Sequence, residues 1–132
     1  MRAIFFGLFF FSMVSLSSCA KHNGDIVAPP PVAAISFSDP LPGSVFHFGD
    51  SVNVQAIAIA KNTVHGYDFS INKRNDTTKL YFKHVHDHND TLFINQKWAN
   101  SFSSSTDLEA KILLYLDHEG NTFSKTISFK AQ

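Results

Sequence analysis

Seven histidines are spread through this chain of 132 residues. Three of them, His84, His86 and His88, stand at alternate positions in Lys83-His84-Val85-His86-Asp87-His88-Asn89-Asp90. Imidazole nitrogen suits zinc and copper, and a metal site needs several such donors around one point. On an extended strand, neighbours two apart lie about 6.6 Å from each other, within reach of one ion at Zn–N bonds of about 2.1 Å. His84 and His88 would be about 13 Å apart on a straight strand. All three reach one ion only if the chain turns near Asp87.

Topology supplies further candidates. If successive strands run antiparallel, the turns at 61–65, 87–90 and 117–121 fall at one end of the domain. His65 and His118 then join the three, with Asp87, Asp90, Asp117 and Glu119 nearby. The candidate metal set is His65, His84, His86, His88, His118 and Asp90, for zinc or copper. The competing reading is a row of exposed polar residues at a strand edge, which discourages edge-to-edge pairing and requires no cofactor. Any polar strand yields His-x-His easily, so the balance favours no cofactor.

Other chemistry is thinner. Ser101 to Ser105 stand near Asp107 and the histidines, but no nucleophile elbow surrounds them, and an enzyme is not expected. Trp98 and Tyr115 could stack on a sugar, yet each falls within a strand pattern where an aromatic serves the core.

The elements that must position these residues have a period of two, and turn residues recur at regular spacing. Val32 to Phe37 is a first strand, and Asp39-Pro40-Leu41-Pro42-Gly43 ends it. In Ser51 to Ala60, Val52, Val54, Ala56 and Ala58 share a face. Ile57 and Ile59 interrupt the alternation, so both faces are expected to be covered there. Tyr67, Phe69 and Ile71 alternate, as do residues 79–86, where simple alternation puts Leu80 and Phe82 on the face of His84 and His86. Leu92, Ile94 and Trp98 mark a fifth strand, with Phe102 as a buried pin in the serine-rich loop that follows. Leu108, Ala110, Ile112, Leu114 and Leu116 form the longest alternation. Leu113 and Tyr115 opposite them suggest a central strand. A turn at 117–121 leads to Ile127 and Phe129. The expected fold is all-β, an antiparallel sandwich of about seven strands over residues 32–132, with no convincing helix.

Eleven Lys/Arg face eleven Asp/Glu. That balance offers no clustered basic face for nucleic acid. A single cysteine excludes an intramolecular disulfide, so burial alone must stabilise the core.

Met1-Arg2 followed by the apolar run Ala3 to Leu16 reads as a signal peptide over residues 1–18. The run is too short to span a bilayer, which takes roughly 20 apolar residues. Leu16-Ser17-Ser18-Cys19 resembles the lipobox of bacterial lipoproteins in residue types, spacing and the uniqueness of its cysteine. The resemblance implies that the Cys19 thiol receives a diacylglycerol and that cleavage before it makes Cys19 the first mature residue. Residues 19–31, polar and then proline-rich, read as a tether that could hold a domain up to about 35 Å from the lipid. The first strand then begins at the histidine end. Ala20 after the cysteine is similar to lipoproteins released to the outer membrane, on a periplasmic or surface-facing side.

From about Ala34 to Lys130 the chain also resembles bacterial immunoglobulin-like and cadherin-like domains, and more broadly the small single-domain lipoproteins of Bacteroidetes. The resemblance rests on Asp39-Pro40, Gly43, Gly49-Asp50-Ser51-Val52-Asn53-Val54 and Asp117-His118-Glu119-Gly120-Asn121-Thr122. It implies an immunoglobulin-like sandwich without catalytic residues, displayed on the cell envelope as a binding or structural module for an envelope protein or glycan. The alternative is a metal-binding envelope lipoprotein that uses the histidines.

Overall fold

In Ser51–Ala60, Val52, Val54, Ala56, Ala58 and Ala60 are all buried, because alternate side chains of a strand share one face. The same alternation recurs along the chain. The computed structural model describes residues 33–132. The signal segment 1–18, with Leu16, Ser17 and Ser18, and the tether 19–31, with Cys19, lie outside the described residues.

Eight strands run in order: β1 (Ala33–Asp39), β2 (Val45–Phe46), β3 (Ser51–Ala60), β4 (Tyr67–Lys73), β5 (Lys79–Val85), β6 (Thr91–Ala99), β7 (Thr106–Tyr115) and β8 (Thr122–Ala131). They form a three-stranded sheet, β1-β3-β6, and a five-stranded sheet, β2-β8-β7-β4-β5. The fold is the expected all-β, immunoglobulin-like two-sheet sandwich. The added strand is β2, whose two residues pair in parallel with Lys130 and Ala131 of β8. Among the described residues no helix is long and apolar enough to cross a membrane.

The core lies between the sheets. Ile35, Val52, Val54, Leu92 and Ile94 come from the smaller sheet and meet Phe69, Ile71, Leu108, Ile112, Leu114 and Phe129 from the larger. Each such side chain contributes about 1.5–3 kcal/mol on burial, the main stabilisation open to a domain without a disulfide. Beyond this layer, Trp98 packs against Phe129 and Phe102, at ring-centroid distances of 6.5 and 6.2 Å. Trp98 is therefore a core aromatic, and Phe102 pins its loop as expected.

Two expectations about faces are corrected. Ile57 and Ile59 are 41% and 54% exposed, and Phe93, paired with Ile57 across β3 and β6, is 79% exposed. The smaller sheet has its core on one face only, and no described element covers the other. A strand with apolar residues on both sides need not be buried on both.

The second correction concerns β5. The register passes from Ile71↔Tyr81 to Asn72↔Lys79, so Leu80 is an extra residue opposite β4. Such a bulge shifts the alternation by one. Leu80, Tyr81 and Val85 pack against the core, whereas Phe82 is 46% exposed. Leu80 and Phe82 therefore do not share a face. Leu113 and Tyr115 are half-buried on β7, which is flanked by β4 and β8, so the central placement of that strand holds.

Candidate functional site at the histidine end

Backbone hydrogen bonds draw three loops together at one end of the sandwich. The Ala60 N–H donates to the Asp90 carbonyl at 2.8 Å, and the Val64 N–H to the Asn89 carbonyl at 3.0 Å. The His65 N–H donates to the Tyr115 carbonyl at 2.8 Å, and the Tyr115 N–H returns a bond to Gly66 at 3.0 Å. The Leu116 N–H closes the β7–β8 turn on the Asn121 carbonyl at 2.9 Å. Loops 61–66, 86–90 and 116–121 are thereby stapled side by side, as antiparallel succession requires.

Gly66 also lies close against the backbone of Val85. Its φ is +113°, and a Cβ there would run into the Val85 carbonyl oxygen. Only glycine adopts such a backbone at little cost. Asp117 organises the last turn, its carboxylate accepting from the N–H groups of Glu119 at 3.1 Å and Asn121 at 2.9 Å, and from Asn121 Nδ2 at 2.6 Å. The Asn121 side-chain bond leads in holding its carboxyl below the usual range.

Four imidazoles form a contiguous string across these loops. The rings of His118 and His65 stack with centroids 3.8 Å apart, His65 meets His88 edge to face at 5.0 Å, and His88 meets His86 at 4.5 Å. The Nε2 atoms of His86 and His88 are 2.8 Å apart, a hydrogen bond in which one ring donates and the other accepts. The chain thus turns after β5, the condition for these rings to meet. Among the described residues, His65 Nδ1 is buried without a hydrogen-bond partner. Desolvation, followed by the proximity of His118 and His88, lowers the His65 pKa, against an opposing pull from Asp117.

His84 and Asp90 stand apart from this string. His84 lies on the outer face of β5, where its Nδ1 contacts Asp68 Oδ1 at 2.7 Å. Asp90 enters the end through its backbone carbonyl. Of the six candidates, the structure brings His65, His86, His88 and His118 together and places His84 in a different cluster. Among the described residues no group of three or more His, Cys, Asp or Glu side chains stands ready to hold a metal ion.

The second cluster was not anticipated from sequence. Asp68 accepts from the Tyr115 hydroxyl through Oδ2 at 2.7 Å while Oδ1 engages His84, and Phe82 lies one step along β5 under the Lys79 ammonium, 3.8 Å from its ring centroid. The hydrogen bond to Asp68 leads in raising the Tyr115 pKa, with burial adding to it. The available signal was a lone carboxylate, Asp68, between the apolar residues Tyr67 and Phe69. Tyr115 is a polar bridge on the outer face rather than a core aromatic.

No family model matches the chain, and no curated protein matches it. Among solved structures, it is similar to the fibronectin(III)-like modules of Clostridium thermocellum CbhA, at 15% identity and a TM-score of 0.48, over 74% of this chain and 94% of that one.

Proposed function

We propose that this chain is a lipid-anchored module of the bacterial cell envelope that binds a partner and catalyses no reaction. Leu16-Ser17-Ser18-Cys19 supports the anchor, through an acylated Cys19 in the outer membrane. Two acyl chains, each buried CH₂ contributing about 0.8 kcal/mol, hold stably where one holds marginally.

The observation that carries the reading is where β1 begins. Ala33 pairs with Ala60, whose N–H is bonded to Asp90, so β1 begins at the histidine end, and on this reading the tether leads there. The opposite end then faces the partner. It carries Leu41, Val45 and Phe48, exposed at 67%, 48% and 66%, an apolar set suited to the surface of an envelope protein. A glycan would be better served by aromatic and polar groups together, as Phe82, Asp68 and His84 present them on β4 and β5.

Mass spectrometry of the N-terminal peptide from membrane-derived protein tests the anchor. The expected result is a mature chain starting at diacylglyceryl-Cys19, with the acyl mass lost in Cys19→Ala and the β-type circular dichroism retained. An unmodified Cys19, or cleavage at another bond, would overturn the reading.

A further inference from the structure

We infer that the loop after β5 is a binding site for one divalent d-block cation of imidazole preference, copper or zinc, built on His86 Nε2 and His88 Nε2 with His65 on its inner side. This goes beyond the envelope reading and does not depend on lipidation.

The ring pair carries the inference. At 2.8 Å, the two Nε2 atoms already point into one gap. The present bond requires opposite roles for the two nitrogens, one protonated and one bearing a lone pair. When the donor ring carries its proton on Nδ1 instead, two lone pairs face the same point with no net loss of charge. Two imidazoles on a tetrahedral ion at Zn–N bonds of about 2.0–2.1 Å stand about 3.3 Å apart. The rings must therefore separate by about half an ångström. Both side chains are exposed, which leaves room for that adjustment.

The surroundings favour nitrogen ligation. His65 lies edge to face with His88, and among the described residues its buried Nδ1 has no hydrogen-bond partner. His118 backs the His65 ring at 3.8 Å. Two carboxylates of the same loops are already engaged, Asp87 by the Asn89 amide and Asp117 by the 117–121 turn. The side-chain atoms that face the gap are imidazole nitrogens, which suit zinc and copper, whereas calcium and magnesium take oxygen. The Irving–Williams order puts copper above zinc here.

The test uses the full chain, purified in detergent without a polyhistidine tag. Copper sulfate and zinc chloride are titrated separately by calorimetry, and the histidine ring nitrogens are followed by NMR with zinc. The expected result is one equivalent of either metal, tighter for copper, with Nε2 of His86 and His88 shifted. His86→Ala and His88→Ala should each weaken binding by at least about tenfold, since even loss of an outer-shell partner commonly costs that much. His47→Ala, at the far end, and His84→Ala, removed from the string by Asp68, should leave it unchanged. Equal losses from His84→Ala or His47→Ala would reduce the uptake to scattered surface binding and overturn the site, as would unshifted His86 and His88 nitrogens. The double variant His86→Ala/His88→Ala alters exposed loop residues only, and an unchanged thermal midpoint shows that lost binding is not lost folding.

Discussion

Gln96 Nε2 on β6 donates to the Tyr67 hydroxyl on β4 at 3.0 Å, a buried hydrogen bond that joins the two sheets through the core. Both residues are about 5% exposed, so neither group has water as a substitute partner. Gln96→Ala should cost about 1–3 kcal/mol, the penalty for leaving a buried hydroxyl unsatisfied. Tyr67→Phe should cost a similar amount by orphaning the amide. Replacing both, as Gln96→Leu with Tyr67→Phe, should cost less than the sum of the two. Urea denaturation of the three variants checks this, and strict additivity would show that the bond is not coupled.

Tyr67 and Tyr115 should titrate late. Burial raises the Tyr67 pKa, and the bond to Asp68 raises that of Tyr115. A group whose folded pKa lies above its unfolded value stabilises the fold fully below the unfolded pKa and loses that contribution as pH rises through the folded one. Stability should therefore fall on the alkaline side of the ordinary tyrosine range. In an ultraviolet titration, Asp68→Ala should return Tyr115 toward its ordinary pKa and leave Tyr67 high.

Gly66 is the hinge of the histidine end. Gly66→Ala adds a side chain at φ +113° against the Val85 carbonyl. It should destabilise the domain by more than the about 1–3 kcal/mol of a strained backbone alone. Hydrogen exchange should locate the damage first at the His65 and Tyr115 amides, whose bonds join residues 65 and 66 to Tyr115 on β7.

Two phenylalanines should respond oppositely. Phe69 is fully buried between the sheets, and Phe69→Ala should cost about 3–5 kcal/mol. Phe93, beside Ile57 on the uncovered face, is 79% exposed, and Phe93→Ala should change stability by less than about 0.5 kcal/mol. Thermal melts of the two variants check the contrast.

The period of two by itself determined the strand class, because side-chain alternation is a property of a single strand and is written locally in Val52 to Ala60 and Leu108 to Leu116. With successive strands taken as antiparallel, it also gathered His65, His84, His86, His88 and His118 at one end, since turns joining antiparallel strands alternate between the two ends. Only the tertiary structure decided what depends on pairing between distant segments. The extra residue at Leu80 is defined against β4, so the reversal of Phe82 is invisible along β5 alone. The two residues of β2 exist as a strand only because β8 lies beside them. His84 leaves the histidine string because the register sets it opposite Asp68, and a carboxylate at 2.7 Å outcompetes a neighbour two residues along the same chain.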